Sequence, residues 1–507
     1  MIVGSIGCNN EGEVQAISKQ EIESLNASIN ISLTSGSDGK PRLKVIESFV
    51  MPKNSLYIRL PQRFLRNNNL YDRIENLQVT NPAQLYSHTD YPFLKRIDYK
   101  KGERVELRYL YKPDVSRMAI DDKELFSAPI IRSNYFQFIG VMMFVFPVGL
   151  EQIKDNIPVK LSFDLPSNFL VYSSFGNERT LDILASPDKI RDALFVAGEN
   201  IRATEVIVRG KPVTITMEGF WPHISDYEFI DVTTRLLAEQ RKTWHDDNFP
   251  HFLVHFLSKP SFECMKIKGT AHVDAFRATF PDACIFKSEL KELVSHELMH
   301  MWIGKDIKVG EKNGRIDGKW FTEGITDYYG RVLAYRAGIL TEDQYFSTLN
   351  DQLKKYYRSK ERNKPLAYLV KNMFQKGHTN EELEHLPYQQ GEIMAIILNK
   401  YIEEQTSDRH SLDNVILDML AMVKKQGDNV FEPNQIEAIV NKYVPGVFAT
   451  EYAKIENGGL FIAPDLPMCR AVIRYIDKAT MIPGIKYSRK SLGYCGRWLN
   501  LKTTIAP

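Results

Sequence analysis

The sequence lacks the features that mark membrane-spanning and nucleic-acid-binding proteins. Its 65 Lys and Arg nearly balance 63 Asp and Glu over 507 residues, and without long runs of one charge it offers no positive surface for nucleic acid. The one strongly apolar run, residues 135–150, contains Gln137, Gly140 and Pro147 and is too short and interrupted to span a bilayer. We therefore expect no nucleic-acid partner and no transmembrane segment, and we interpret this run as paired buried strands.

Cysteine is also scarce, and its odd number limits disulfide pairing. The five cysteines are Cys8, Cys264, Cys284, Cys469 and Cys495. The last four allow three pairings, of which Cys469 with Cys495 is attractive in a short tail, while five reduced thiols in a cytosolic protein are the alternative. "SIGC" at Cys8 loosely resembles a lipoprotein cleavage site, so Cys8 is a candidate lipid anchor. We expect a periplasmic or cell-envelope location ahead of a cytoplasmic one.

The order of sequence patterns predicts a multidomain α+β protein without internal repeats. Short β-rich runs such as "PRLKVIESFVM" and "PVTITMEGFW" alternate with turn signals over the first part of the chain, as in a β-sandwich. Helical patterns then follow and dominate from about residue 340. The predicted units are an N-terminal segment, a β-sandwich, an α/β domain and a helical C-terminal domain with a short tail, at 1–19, 20–220, 221–345 and 346–507.

A His-Glu-x-x-His pattern lies in the helix-favouring stretch "KELVSHELMHMWIG", residues 291–304. On a helix His296 and His300 share one face about 6 Å apart, so both can bind one metal ion. Glu297 lies beside them, where its carboxylate can act as general base toward a water activated by that metal. An amphipathic helix with two incidental histidines is the alternative.

A third ligand is available downstream in "GKWFTEGITDYYG", residues 318–330. Catalytic zinc takes three protein ligands and keeps one position open, and Glu323 opens the next helical stretch. Asp327 follows one turn later on the same face, where it can accept the spare ring N–H of a ligand histidine. We predict one zinc ion per chain, bound by His296, His300 and Glu323, with solvated surface acids as the alternative.

These motifs resemble known zinc peptidases of the gluzincin clan. "HELMHMWIGK" resembles the aminopeptidase N superfamily, in which a tryptophan follows the second histidine by two, as Trp302 does. "WFTEGITDYY", "AYRAGILTEDQY" and the upstream residues 144–176 and 181–190 are more similar to the glycyl aminopeptidase family, metallopeptidase family 61. "TEGITDYYG" also resembles the third-ligand helix of thermolysin. The resemblance implies a thermolysin-like zinc catalytic domain over residues 221–345, although the spacer "EKNGRIDG" differs in length from both closer families.

The resemblance also implies a catalytic tyrosine. "LPYQQGEIMAIILNKYI", residues 386–402, is similar to the segment that carries a transition-state tyrosine ahead of a glycine, and Tyr388 matches that tyrosine. A phenol at this position can donate a hydrogen bond to the oxyanion of the tetrahedral intermediate. Ordinary packing at the start of a helix is the alternative.

The chain departs from both families at the motif that holds the free α-amine of the substrate. The counterpart of this motif is "KGTAH", from which we assign substrate binding to Gly269, Thr270, Ala271 and His272. Alanine stands at the glutamate position, and the nearby carboxylates are Glu263 and Asp274. We therefore expect either cleavage of internal or N-blocked peptides, or an amine anchor supplied by another acid. The strand at 250–258 is expected to offer its edge to an extended substrate.

Together these patterns predict a zinc-dependent metallopeptidase that acts on peptides or proteins. Two alternatives stay open: a non-catalytic, zinc-containing peptide-binding protein, and a non-peptide hydrolase of the same clan. Glu297 and the open fourth metal position favour catalysis over binding alone. Side-chain specificity, physiological substrate and oligomeric state do not follow from the sequence.

Overall fold

The computed structural model describes residues 25–64, 67–113, 127–150, 153, 155–261, 264, 267–285, 287–310, 317–375, 378–427, 429–461, 472–477 and 482–486. Cys8, the candidate lipid anchor, lies outside the described residues, as do Glu263, Cys469 and Cys495. The described cysteines Cys264 and Cys284 form a disulfide bond, which is one of the pairings that the sequence allows.

The N-terminal part consists mainly of strands in which buried and more exposed residues alternate, as in the half-buried strand β13. A 3₁₀ turn, Leu70–Arg73, and two short helices, α1 (Gly140–Met143) and α2 (Pro187–Asp192), interrupt them. The strands are β1 (Ala27–Ser35), β2 (Pro41–Val50), β3 (Ser55–Arg59), β4 (Arg63–Phe64), β5 (Asn67–Asn68), β6 (Ile74–Val79), β7 (Gln84–Ser87), β8 (Leu94–Asp98), β9 (Arg104–Tyr111), β10 (Ile130–Arg132), β11 (Tyr135–Ile139), β12 (Phe146–Pro147), β13 (Ile157–Asp164), β14 (Leu170–Ser173), β15 (Thr180–Ala185) and β16 (Leu194–Gly198).

Fourteen of these strands form one six-stranded and two four-stranded sheets, in the orders β15-β13-β1-β2-β9-β6, β12-β3-β8-β7 and β10-β11-β16-β14, and β4 pairs with β5. All three sheets contribute to one hydrophobic cluster, for example through Ile31, Ile58 and Phe195. The apolar run 135–150 is buried as predicted, but its middle is helical instead of extended. The helical turn begins at Gly140, where an added Cβ would overlap the carbonyl oxygen of Ile190, so only glycine lets α1 pack this closely on α2.

The part of the chain that follows has its own five-stranded sheet, called the second sheet below, and this sheet carries the edge that matters for the site. Its strands are β17 (Arg202–Val208), β18 (Lys211–Glu218), β19 (Phe252–Lys259), β20 (Lys268–His272) and β21 (Ala275–Pro281), in the order β17-β18-β19-β21-β20. The prediction that the strand at 250–258 offers its edge was wrong, because β19 pairs with β18 on one side and β21 on the other. Asp274, with φ 46°, helps turn the chain so that β21 runs back antiparallel to β20, which forms the edge.

Helices follow from residue 226 onward. They are α3 (Asp226–Thr243), α4 (Ser288–Met299), α5 (Lys319–Thr322), α6 (Gly324–Arg336), α7 (Glu342–Arg358), α8 (Leu366–Met373), α9 (Glu381–Thr406), α10 (Leu412–Gln426), α11 (Pro433–Val440) and α12 (Val447–Asn457). Short strands accompany them: β22 (Lys308–Val309), β23 (Phe374–Gln375), β24 (His378–Thr379), β25 (Val430–Phe431), β26 (Val472–Asp477) and β27 (Ile482–Lys486). Among the described residues, no helix combines the length and the apolar character needed to cross a membrane.

The second sheet and the helices share one core. A single hydrophobic cluster runs from Val208 on β17 to Phe461 beyond α12. Strands β17 and β18 lie before the boundary predicted at residue 220, yet they pair within the second sheet. The same cluster crosses the boundary predicted between residues 345 and 346, which stays a prediction. Capping boxes set the starts of α3 and α7, through Ser225 with Glu228 and through Thr341 with Gln344.

Candidate active site

Helices α4 and α6 pack closely enough to bring the three predicted ligands together. His296 lies in the last turn of α4, and His300 ends that helix with φ −62° and ψ −10°. Gly330 on α6 faces His296, and a Cβ there would lie 3.1 Å from the Cα of His296. This contact leaves little room for a side chain at position 330, so glycine allows α6 to pack closely on α4. Glu323, at the start of α6, then lies beside both histidines.

The three donor atoms form a compact triangle. His296 Nε2 lies 3.1 Å from His300 Nε2, and Glu323 Oε2 lies 3.4 Å from the first nitrogen and 3.5 Å from the second. Zinc bonds of roughly 2.0–2.1 Å in tetrahedral geometry separate neighbouring ligand atoms by about 3.3 Å. The donor set of two imidazole nitrogens and one carboxylate oxygen, at these separations, fits a catalytic zinc ion.

The remaining ring nitrogens of the two histidines have partners that orient the rings. His296 Nδ1 lies 2.7 Å from Asp327 Oδ1, and His300 Nδ1 lies 2.9 Å from the carbonyl oxygen of Ile303. Since both partners are acceptors, each Nδ1 carries the proton and each Nε2 presents a lone pair to the triangle. Two lone pairs 3.1 Å apart repel unless a proton or a metal cation lies between them.

The electrostatics of the triangle also favour a cation. Burial lowers the pKa of His296, but the adjacent carboxylates of Asp327 and Glu323 more than reverse this and raise it well above its usual value. Burial raises the pKa of Glu323, and His300 and His296 outweigh burial, so that it falls well below its usual value. Both shifts report a site that stabilises positive charge between these side chains.

Glu297 lies between α4 and the edge strand β20. A Cβ on Gly269 would come within 2.6 Å of Glu297 Cγ, so the glycine leaves room for the glutamate. Burial raises the pKa of Glu297, and the charge of Glu323 adds to the rise against the opposing effect of His300 and His296. A raised pKa suits a carboxylate that must both take up and release a proton near neutral pH.

Tyr388 reaches the site from the first half of α9. Its ring stacks on His296 with centroids 6.3 Å apart and planes 12° from parallel. A Cβ on Gly391 would overlap the carbonyl oxygen of Trp320 and lie 2.9 Å from the Cα of Gly324, so this glycine allows α9 to approach α6. Burial and the charge of Glu323 raise the pKa of Tyr388 well above its usual value, which keeps the phenol protonated as a hydrogen-bond donor.

Trp302, which follows the second histidine of the motif by two residues, has a supporting place in the structure. It is fully buried, its indole Nε1 donates to Asp246 Oδ2 at 3.0 Å, and its ring meets the edge of Phe249. These contacts fix the turn that follows α4. The tryptophan therefore holds in place the turn that directly follows the two histidines.

The four residues assigned to substrate binding divide into two groups. Gly269 faces Glu297, whereas Thr270 and Ala271 are buried and Ala271 belongs to the hydrophobic core. His272 is 0% exposed, lies 3.0 Å from Asp192 Oδ1 through Nδ1 and accepts a 3.3 Å hydrogen bond from Arg277 at Nε2. The structure thus places His272 in a buried network, and its contact with substrate stays a prediction.

Sequence reasoning missed the three other residues of that network, Asp192, Arg277 and Lys305. Asp192 ends α2 of the N-terminal part and contacts both His272 and Lys305, which lies just beyond α4. Burial raises the pKa of Asp192, but Lys305 and His272 reverse this and lower it. Asp192 is 80 residues from His272 in sequence, so no local pattern signals the contact.

Comparisons with known proteins agree with this geometry. Residues 289–394 match the model of the M61 glycyl aminopeptidase family, which covers His296, Glu297, His300, Glu323 and Tyr388. This match confirms the predicted resemblance and the prediction of a metallopeptidase. No curated protein matches the chain significantly.

Solved structures share the fold. An aminopeptidase N family protein from Idiomarina loihiensis is 14% identical, with a TM-score of 0.73 over 89% of this chain and 79% of that one. An M1 zinc metallopeptidase from Deinococcus radiodurans is 12% identical, with a TM-score of 0.51 over 87% and 96%. A mutant of that enzyme bound to the substrate Tyr-Ser-Ala is 14% identical, with a TM-score of 0.52 over the same shares. The mixed α+β multidomain architecture is therefore similar to that of these proteins.

Proposed function

We propose that this chain hydrolyses peptide bonds as a zinc-dependent metallopeptidase, with one zinc ion held by His296, His300 and Glu323. The observation that carries the proposal is the triangle of donor atoms with sides of 3.1, 3.4 and 3.5 Å. Glu297 and Tyr388 lie beside this triangle, on α4 and α9. A binding protein with a structural zinc site needs neither a buried carboxylate nor a phenol next to the open metal position.

The protein side chains divide the chemistry among themselves. When bound, zinc supplies Lewis acidity toward the scissile carbonyl and lowers the pKa of water. Glu297 takes the proton from the attacking water and passes it to the leaving amine. Tyr388 donates its phenolic hydrogen to the oxygen that becomes negative in the transition state. Asp327 keeps the His296 ring in the orientation that directs Nε2 toward the metal.

The edge strand β20 supplies the surface for an extended substrate. Among the described residues it pairs with β21 on one side only, so its other edge can bind a peptide backbone by strand addition. Gly269 lies on this strand directly opposite Glu297, and the absence of a side chain there allows the strand to approach the general base. We propose β20 as the substrate-binding edge in place of β19.

Within the part of the chain that the structure describes, the site lacks the usual carboxylate partner for a free α-amine near this strand. Ala271 is only 3% exposed. Asp192 already contacts His272 and Lys305. Asp274 lies at the positive-φ turn after β20, and burial raises its pKa, which weakens it as an anion. We therefore propose cleavage that depends little on a free N-terminus.

We propose a β-sandwich domain for the N-terminal sheets, a thermolysin-like catalytic domain from the second sheet through α6, and a helical domain beyond it. The Cys264–Cys284 bond supports a location outside the reducing cytosol, because disulfides persist mainly in oxidising compartments.

A cleavage map with a peptide library tests the function. The zinc-loaded parent should cut library peptides, and Glu297→Gln should keep zinc while losing about 100- to 10,000-fold in kcat. Glu289→Gln, in the first turn of the same helix, is the matched control and should keep parental activity. A parent that binds zinc and peptides but cleaves none would support the binding-protein alternative.

The same assay decides the dependence on the amine. A free peptide and its N-acetylated twin should give similar kcat/KM values. A loss beyond about a hundredfold on acetylation would show a strong amine anchor, and Asp274 and Glu263 would then be the first carboxylates to replace.

A further inference from the structure

A buried arginine connects the helices that carry the site. Arg331 lies on α6 and is 3% exposed. Its guanidinium contacts Glu292 Oε2 on α4 at 3.4 Å, Glu392 on α9, and Thr348 Oγ1 on α7 at 3.1 Å. The hydrolytic roles proposed above use none of these four side chains.

The three charged residues stand in the same register to the site. Glu292 precedes His296 by four residues, Arg331 follows Asp327 by four, and Glu392 follows Tyr388 by four. Residues four apart on a helix lie on one face, one turn apart. The arginine cluster therefore forms a layer one helical turn from the layer that contains His296, Asp327 and Tyr388.

A buried arginine with acceptors on several helices can fix the positions of those helices relative to one another. A buried ion pair adds little net stability over well-packed apolar side chains, so holding the helices together does not by itself require charges. A planar guanidinium has five N–H donors in a rigid fork. It can donate to acceptors on three helices only when those helices have one particular relative rotation and one particular relative position along their axes.

We infer that Arg331, Glu292 and Glu392 are positioning residues that set Tyr388 on α9 against the metal ligands on α4 and α6. This inference rests on the proposed function. Tyr388 is carried by α9, while the ligands lie on or beside the other two helices. Glu392 is thus the member of the cluster that controls the phenol, one turn away on the same helix.

A double-mutant cycle on kcat tests the inference. Glu392→Gln keeps the shape of the side chain and removes its charge, and it should lower kcat by about ten- to a hundredfold, the scale expected for a misplacement near 1 Å. KM and zinc content should stay near the parental values. In a Tyr388→Phe background the same substitution should lower kcat by less than about threefold, because the group it positions is already absent.

Arg331→Lys provides a second variant, since it keeps the charge and loses the fork, and it carries the test if Glu392→Gln does not fold. The matched control is Asp413→Asn, which breaks the 2.8 Å pair with Arg336, another buried arginine of α6. Asp413→Asn should leave kcat close to the parental value in both backgrounds.

Three results would overturn the inference. Equal losses of kcat with and without the Tyr388 hydroxyl would show a general structural role, as would loss of zinc from folded Glu392→Gln or a kcat loss in Asp413→Asn as large as that in Glu392→Gln. A parent that cleaves no peptide overturns the proposed function and this inference together, whereas an active parent with an additive cycle overturns the inference alone.

Discussion

Gly269 and Glu297 face each other with no space between them for a side chain. A Cβ on Gly269 would come within 2.6 Å of Glu297 Cγ and 3.2 Å of Glu297 Oε1. The edge strand and the general base therefore approach each other only because position 269 is glycine.

Gly269→Ala should consequently displace the Glu297 carboxylate and lower kcat by about tenfold or more. Zinc content should not change, since none of the three ligands touches the new methyl group. Steady-state kinetics and metal analysis check both statements. Ala203→Val, exposed on β17 at the opposite edge of the same sheet, is the control. Parental kcat in Gly269→Ala would contradict the close contact.

Asp327→Asn should weaken zinc binding while leaving the fold intact. The carboxylate 2.7 Å from His296 Nδ1 orients the ring and increases its basicity, and loss of such a partner typically costs about 10- to 100-fold in metal affinity. Competition with a chelator of known affinity measures the change. Asp351→Asn, an exposed residue of α7, should retain parental affinity, and equal affinities of the two variants would refute the role of Asp327.

Gly391→Ala should force α9 away from α6. The added Cβ would overlap the carbonyl oxygen of Trp320, and overpacking of this kind typically lowers the free energy of unfolding by about 1 to 3 kcal/mol. Because Tyr388 lies less than one turn away, kcat should fall as well. Denaturant unfolding and kinetics test the pair of effects against Gln405→Ala, an exposed change on the same helix. Unchanged stability would show that the space between α9 and α6 accommodates the added methyl group.

The stability of the N-terminal sheets should depend on pH through Glu47. Burial raises the pKa of this carboxyl to about 7, against the opposing hydrogen bonds from Tyr109 and the backbone of Val145. Since the folded pKa exceeds the unfolded one, the protonated acid is favoured in the fold. Its contribution is fully present below about pH 4.5 and is lost as pH rises through about 7.

Glu47→Gln should therefore gain stability relative to the parent as pH increases across that window, by roughly 2 to 4 kcal/mol. Thermal unfolding from pH 4.5 to 8 measures the difference. Glu103→Gln, exposed on the same part of the chain, should follow the parent. A constant difference between Glu47→Gln and the parent would mean that the pKa of Glu47 is not raised in the fold.

The sequence predicted the ligand triangle because its chemistry is local. The spacing of His296 and His300 on one helix fixes their common face, and Asp327 lies one turn beyond Glu323 for the same reason. The structure brings these side chains together as expected. The glycines that allow it, Gly330 and Gly391, were not singled out as packing contacts, since a glycine in a helix pattern does not show which neighbour approaches it.

Contacts between distant segments could not be predicted. The order of strands in the second sheet depends on the turn at Asp274, so the edge was assigned to β19 when it belongs to β20. His272 looked like a substrate contact because the residue that satisfies it, Asp192, comes from another part of the chain. A family motif fixes which residues recur but does not state which of them face the solvent.

The common core from Val208 to Phe461 limits how this peptidase can be engineered. A fragment cut after Arg336 would retain all three predicted ligands and Glu297, yet it would lose α9, which packs on α6, and expose the apolar face that α9 covers. Such a fragment should aggregate and lack turnover. Grafting the ligand motifs onto a smaller scaffold would also fail to transfer activity, because the helix that supplies the phenol belongs to the same folding unit as the helices that hold the metal.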